Sequence, residues 1–593
     1  MIKNTPTICS FCSNGCGMFI RTDGAEPQGI LPITGHPVSE GRLCHRGWNR
    51  FQNLRSLNRV IRPLIREGGQ LKEVDWEKAI RKCNERLSEL INSYGPQSLG
   101  VIGSPWLTNE DNYFISLFCQ RVLKSNNLDG SYRFSGASAL TGLAQFFSGS
   151  LGSLGSIPSM RESPAILVLG RGSLRDFPPV GSRIIQSFHK GGKVILADPS
   201  SQRAEHFYKF HLPYALESLS FALKERAEIP DEVFQCLSQA GSALVFIADE
   251  VNQSSSLVSL LAFFSQLLPT QNRIPIVIPI SRSPNLRGAW DMGIKPGEEG
   301  LNLQEMLDAE SKIKGLLIFA DDLLTHLPSS SMVERLKSLE FLMVADRFFT
   351  ETTRIAHCIL PIPLLAEGGG TMTNTEGRIQ KLRPALNPRE ESRSLLEILP
   401  ELSERLGNPL RAFSESEVRR EISTSIPGYQ QIASESELDS VSGILLPPPK
   451  QNGVPLQPSR TTKSPKEEEY FLLIPNTLYA WNRNQMILES PVLKIECPSD
   501  RLVIRMSSQD AREYRIRMGE KVRIRSERGE VQVPVELDEN LPPRTLVLPS
   551  HFITLMESLA GKGELDPATR SLYYPNLYVT LEVTTQAQSG KGT

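Results

Sequence analysis

From residue 163 onward one pattern repeats: a short run of branched apolar residues, a turn, then an amphipathic stretch. The runs are AILVLG, KVILADP, ALVFIADE, IPIVIPI, GLLIFADD and FLMVADR. They alternate with stretches such as VGSRIIQSFHKGG, SLVSLLAFFSQLL and SSMVERLKSL. Apolar runs without in–out alternation are buried on both faces, which requires parallel sheets covered by helices on each side. The fold class is therefore α/β, with doubly wound sheets. Four of these strands end at an acid: Asp198, Asp249, Asp321 and Asp346. Open α/β sheets place their ligands at strand carboxyl ends, although each acid taken singly is expected to cap the helix that follows it.

The flanking regions read differently. Residues 1–60 are glycine-rich and short-turned. DWEKAIRKCNERLSELINSYG predicts a helix with Asp75 as N-cap, Ile80, Cys83, Leu87 and Leu90 on one face, and Gly95 at its end. SLGVIGS predicts a buried strand, and NEDNYFISLFCQRVLKS a second helix. Residues 441–469 have the proline, serine and charge content of a linker or surface strap. Beyond them EKVRIRSERGEVQVPVEL alternates strictly about ERGE, a hairpin in which Gly529 is expected to supply a positive φ. With RTLVLPSHF and NLYVTLEVT it predicts a separate β-barrel. At roughly 150 residues per domain, 593 residues allow about three to five domains.

Charge and hydropathy exclude several function classes. Lys plus Arg is 65 against 66 Asp plus Glu, which leaves no basic footprint for nucleic acid or an anionic membrane. Apolar runs are strand-sized, too short to span a bilayer. The N-terminal MIKNTPTICSFC has neither an h-region nor a twin-arginine signal. The expected location is cytoplasmic, with no direct membrane span.

Of nine cysteines, five (Cys83, Cys119, Cys236, Cys358 and Cys497) are scattered singly in apolar surroundings and are expected to be small buried hydrophobes. The other four, Cys9, Cys12, Cys16 and Cys44, follow C-x2-C-x3-C-x27-C. Four thiolates can hold zinc or an iron–sulfur cluster. Zinc ribbons usually pair two C-x2-C knuckles. Three ligands on one loop and a fourth from afar suit a cubane better, and Gly15, Gly17, Gly41 and Gly47 let the backbone approach its sulfides. On spacing alone the 4Fe-4S cluster is favoured and zinc stays open.

Beyond that spacing, CSFCSNGCGM, GRLCHRGWN and NRVIRPLIREGGQLKEVDWEKAI closely resemble the N-terminus of the molybdopterin oxidoreductase superfamily, in particular formate dehydrogenase catalytic subunits and the large iron–sulfur subunit of respiratory complex I. The resemblance continues through TNEDNYFISLFCQRVLKSNNLD, VGSRIIQSFHKGGKVILADPSSQRAE, NLRGAWDMG, TETTRIAHCILPIPLLAEGGGTMTNTEGRIQKLRPAL and MSSQDAREYRIRMGEKVRIRSERGEVQVPVEL. It implies one 4Fe-4S cluster on the four cysteines and a four-domain fold. Those domains are a cluster domain at 1–60, an α/β domain at 61–133 plus 337–440, a second α/β domain at 134–336, and, after the 441–469 linker, a barrel at 470–593. In catalytic relatives a bis-molybdopterin guanine dinucleotide carrying molybdenum or tungsten lies between the domains.

The sequence departs from that pattern where the chemistry would occur. Formate dehydrogenases read D-x-x-x-R-V-C-H-G-P-S; here the stretch is DGSYRFSGASALTGL. Asp129 and Arg133 match, Ser135 falls on the metal-ligand position and Gly136 on the catalytic histidine. Serine can still ligate a high-valent metal, as in the dimethyl sulfoxide reductase class. Neither Arg282, one place off the family's catalytic arginine, nor Arg287, where the family has glutamine, can be assigned to catalysis. Gly170, Gly172 and Ser173 form a glycine-rich turn after a strand, Asp198 sits where an acid could hold guanine or ribose, and Arg46 replaces a lysine between cluster and pterin. Thr371, Asn374, Glu376 and Arg378 keep the GGGTMTNTEGR motif, which also persists in the pterin-free complex I subunit. The barrel contacts have become PNTLYAWNRNQM and MESLAG.

The reading is an iron–sulfur electron-transfer subunit of a formate dehydrogenase-like complex, its metal site lost, its partners ferredoxin-like iron–sulfur and flavin/NAD-binding chains. The alternative is a molybdenum or tungsten bis-pterin oxidoreductase with Ser135 as ligand.

Overall fold

The structure is a computed structural model. It describes residues 1–147, 151–170, 172, 176–200, 207–226, 229–268, 275–326, 330–411, 413–450, 469–473, 485–496, 502–548, 553–561 and 563–583. Ser173, Cys497, most of the expected 441–469 linker and most of PNTLYAWNRNQM lie outside these residues.

The chain opens with a three-stranded antiparallel sheet, Ile2–Ile8, Gly17–Asp23 and Glu26–Pro32. Ile8 pairs with Gly17, and the Cys9 N–H donates to the Cys16 carbonyl at 2.8 Å. That register forces residues 9–16 out as one loop carrying three cysteines.

The helix expected after Asp75 runs Trp76–Tyr94. Asp75 accepts from the Lys78 N–H at 2.7 Å, Ile80, Cys83, Leu87 and Leu90 are buried, and Gly95 ends it at φ 83°. Asp75→Ala should lower unfolding free energy by about 1 kcal/mol, read by chemical denaturation; an unchanged midpoint would remove the cap from the account.

Seven strands form the first α/β sheet, in the order Gln70–Glu73, Leu64–Glu67, Cys358–Pro361, Phe341–Asp346, Gly315–Phe319, Leu99–Gly103, Leu128–Gly130. Five parallel strands form the second: Phe210–Leu212, Lys193–Ala197, Ala165–Leu169, Ala243–Ile247, Ile276–Ile280. A boundary at residue 336 puts Gly315–Phe319 in the second α/β domain, and the pairing corrects this. Gly315 lies beside Leu99 on one side and Phe341 on the other, so the strand is central to the seven-stranded sheet. A parallel partner about two hundred residues away leaves no local trace, because parallel strands need long crossovers.

Tyr470–Leu473, Thr545–Val547, Ile504–Ser507, Glu530–Asp538, Lys521–Arg525 and Leu577–Val583 close into a barrel. Its hairpin turns at ERGE as expected, but Gly529 does not take a positive φ. A Cβ there would lie 2.3 Å from the Ser558 carbonyl, so close backbone approach explains this glycine. No described helix is long and apolar enough to cross a membrane.

Candidate functional site: a cysteine-lined void beside a nucleotide-sized cavity

Cys9, Cys12 and Cys16 on the loop meet Cys44, which precedes the helical turn His45–Trp48, around one small void that Arg46, Asp176 and Phe177 also line. Cys9 and Cys16 are buried; Cys12 and Cys44 are partly exposed. No three His, Cys, Asp or Glu side chains among the described residues converge as ligands of a single ion. Burial, then repulsion from Cys44, pushes the Cys9 thiol up to about 12, and burial first raises Cys12 and Cys16 as well. Backbone N–H groups of Phe11 and Asn14 reach Cys9 and Cys12 and oppose that shift. Four clustered thiols, two buried and two partly exposed, fit a cationic iron core, whose binding displaces their protons. Arg50 stands by Cys9, donating to Ser10 Oγ at 3.3 Å; desolvation lowers its guanidinium to about 10, still charged at neutral pH. Nothing in CHRGWNR singles out Arg50 beforehand.

The loop's shape is set by what packs behind it. Gly15 has φ +66°, and a Cβ there would lie 2.1 Å from Gln380 Oε1; one at Gly17 would lie 2.1 Å from the His36 ring. Asn374 Nδ2 donates to the Asn14 carbonyl at 3.0 Å, Gln380 Nε2 to the Gly15 carbonyl at 3.0 Å, and the Thr375 N–H to the Ser13 carbonyl at 2.8 Å. Thr371 is held by Glu110, and Glu376 accepts from the Ile157 N–H and from Arg378. Thr371, Asn374, Glu376 and Arg378 thus clasp the cysteine loop and its neighbours, and none of the four lines the large cavity.

That cavity, of about 870 Å³, opens at the carboxyl ends of the five-stranded sheet, and the barrel closes its far side with Arg505, Asp538 and Asn540. Gly170, Gly172 and Asp198 line it, with Glu217, Glu250 and Arg282. Gly170 has φ +75°, and its N–H is spent on the Ala197 carbonyl at 2.9 Å. Asp198 accepts from the N–H and hydroxyl of Ser200, at 2.7 and 2.6 Å. Asp249 instead accepts from Ser281 Oγ and the Arg282 N–H, and Asp346 from the N–H groups of Arg347 and Phe348. Asp249 and Asp346 thus organise strand-end loops in place of capping helices. Burial drives both the Asp249 and Asp346 carboxyls up to about 6.

One wall separates void and cavity. Arg46 Nη1 donates to the Asp176 carbonyl at 2.7 Å, while Arg282 Nη2 reaches the Asp176 carboxylate at 3.3 Å and Glu250 at 2.8 Å. Asp176 lines both spaces. Sequence reasoning missed Asp176 and Glu250; a strand-end position was the one signal for Glu250.

Ser135 lies elsewhere. It is 2% exposed, its hydroxyl has no hydrogen-bond partner, and it lines neither void nor cavity. Gly136 has φ +113°, and a Cβ there would lie 2.9 Å from Leu286 Cδ2, so any side chain at this position meets Leu286. Asp129 and Arg133 form a buried bidentate pair at 2.7 and 2.9 Å, and Arg133 Nη1 donates to the barrel's Thr569 carbonyl. Arg287 is spent on Asp291 at 2.6 Å and the Gly152 carbonyl. MESLAG forms part of a helix, Ile553–Ala560, with Met556 and Leu559 buried.

These features define a class: a multidomain α/β-and-barrel scaffold with a cysteine-wrapped void walled off from a nucleotide-sized cavity. Residues 2–54 match the molybdopterin oxidoreductase Fe4S4 domain, 59–405 the molybdopterin oxidoreductase family and 471–570 the molybdopterin dinucleotide binding domain. The chain belongs to the molybdopterin oxidoreductase family. It is 26% identical to the F420-dependent formate dehydrogenase subunit alpha of Methanocaldococcus jannaschii, across 95% of this chain and 97% of that one. A putative formate dehydrogenase of Staphylococcus aureus is 25% identical over 92% of this chain and 65% of its own length. Acetylene hydratase from Pelobacter acetylenicus has the same fold, with TM-score 0.67 and 15% identity over 97% of this chain and 99% of its own.

Proposed function

We propose that this chain is the iron–sulfur electron-transfer subunit of a cytoplasmic, multi-subunit, formate dehydrogenase-like complex, and that it has given up metal catalysis. Cys9, Cys12, Cys16 and Cys44 hold one 4Fe-4S cluster, which supplies one-electron transfer. Arg46 and Arg50 place fixed positive charge beside it and favour its reduced state. Relatives named as alpha subunits support further chains in the complex; ferredoxin-like iron–sulfur and flavin/NAD-binding subunits would bring and remove electrons.

The observation that carries the reading is the pair Ser135–Gly136. The soft ligand and the proton acceptor of the formate dehydrogenase pattern are both replaced, and Leu286 packs against the acceptor's position. The residues present do not fit a molybdenum or tungsten centre for formate. One observation favours the second reading: Ser135 Oγ is buried and unpaired, a state that ligation would relieve. Elemental analysis of the complex decides between them. We expect about four irons per chain and neither molybdenum nor tungsten; either heavy metal near one per chain would sink the proposal in favour of Ser135 as ligand.

A further inference from the structure

The loop of residues 9–16 carries three polar side chains besides its cysteines: Ser10, Ser13 and Asn14. Two are spent on the surrounding chain. Ser10 Oγ accepts from Arg50 Nε at 3.3 Å, and Ser13 Oγ accepts from the Ser281 N–H at 2.7 Å. Asn14 is the third. It is 1% exposed, and neither its Nδ2 nor its Oδ1 has a hydrogen-bond partner among the described residues.

A buried amide with nothing to bond is costly and rare, and its presence asks for a cause. Among the described residues one other carboxamide, that of Asn84, has both ends unpaired, and Asn84 lines neither the void nor the large cavity. Asn14 lines the void, together with Cys9, Cys12, Cys16 and Cys44.

The main chain around Asn14 is pinned. Its N–H reaches the Cys12 thiol, and its carbonyl accepts from Asn374 Nδ2 at 3.0 Å. Before it, the Ser13 N–H donates to the Ser281 carbonyl at 3.0 Å. After it, Gly15 takes φ +66°, and the Gly15 carbonyl accepts from Gln380 Nε2 at 3.0 Å. The amide is therefore kept beside the cysteines by bonds made elsewhere in the loop.

The chemistry of the void supplies the missing partner. Thiolate and sulfide sulfurs accept hydrogen bonds and donate none, whereas a carboxamide brings two N–H donors. Hydrogen bonds to the sulfurs are one of the features that set the potential of an iron–sulfur centre. Reduction adds one electron, supplied by the ferredoxin-like partner, and breaks no bond. It increases the negative charge on the sulfurs, so a donor aimed at them is held more strongly in the reduced state.

We infer that the Asn14 carboxamide donates to a sulfur of the cluster and raises its reduction potential. The inference rests on the cluster proposed above. The test is an EPR-monitored redox titration of the purified complex. Asn14→Leu keeps the bulk and removes the donors. It should retain about four irons and the reduced-cubane signal. The ratio of reduced to oxidised cluster at a fixed potential should fall about tenfold, a shift of about 59 mV to lower potential. An unchanged potential with an intact cubane overturns the inference. Asn14→Asp has the same shape with an acceptor in place of the donors, and it covers the case in which leucine loses the cluster. Its potential should fall at least as far, and a potential equal to the parent's also overturns the inference. Loss of the cluster from both variants would make Asn14 a residue of loop assembly and overturn the tuning role. A parent complex with no cubane signal at all defeats the electron-transfer reading instead.

Discussion

Cys44→Ser is expected to abolish the cubane. Cys44 is the one ligand brought from outside the loop, and its side of the void is partly exposed. Without it the three loop cysteines cannot close a four-iron cluster, so iron should fall from about four per chain to three or fewer. The reduced-state EPR signal of the cubane should vanish. Cys83→Ser is the control: Cys83 lies buried against Cys358, far in fold and sequence from the loop, and its replacement should leave both readouts unchanged. A normal cubane signal in Cys44→Ser would remove Cys44 from the ligand set, and with it the description of the void.

Gly136→His, which puts back the histidine of the formate dehydrogenase pattern but leaves Ser135 at its metal-ligand position, is expected to destabilise the protein by about 3 kcal/mol and to restore no formate oxidation. Two costs combine. A side chain held at φ +113° costs roughly 1–3 kcal/mol. Forcing bulk against Leu286, whose Cδ2 lies 2.9 Å from the new Cβ, adds about 1–3 kcal/mol. Leu286→Ala alone should cost about 2–5 kcal/mol by leaving a cavity. The double variant should be more stable than the sum of the singles predicts, by about 1–2 kcal/mol, because the histidine then refills that space. Equilibrium denaturation of all four proteins measures this. A Gly136→His protein as stable as its parent would mean that the histidine position is open, and the case for a lost site would weaken accordingly.

Much of this architecture is written locally. Helix Trp76–Tyr94 announces itself through Asp75, its apolar face and Gly95, all within one segment. The apolar runs declare buried parallel strands, and the four cysteines declare a tetrathiolate site for zinc or a cluster, because ligand type and spacing are properties of the chain itself. Gly529 shows the limit: the residue marks a turn, but its cause is the Ser558 carbonyl of a distant helix. The GGGTMTNTEGR segment shows another. As sequence it reads equally as a cofactor contact or a clasp, and only its hydrogen bonds to Ser13, Asn14, Ile157 and Glu110 display a clasp.

The sequence by itself therefore determined the fold class, the barrel, the cysteine set and the altered pair Ser135–Gly136. Tertiary structure alone decided that Gly315–Phe319 belongs to the first sheet, that Asp176 and Arg282 wall the void from the cavity, and that a side chain at Gly136 would meet Leu286. The division has a physical cause. Propensity, spacing and ligand chemistry are carried by neighbours in the chain. The size of a crevice is set by side chains from segments hundreds of residues apart, whose packing against one another no local pattern records.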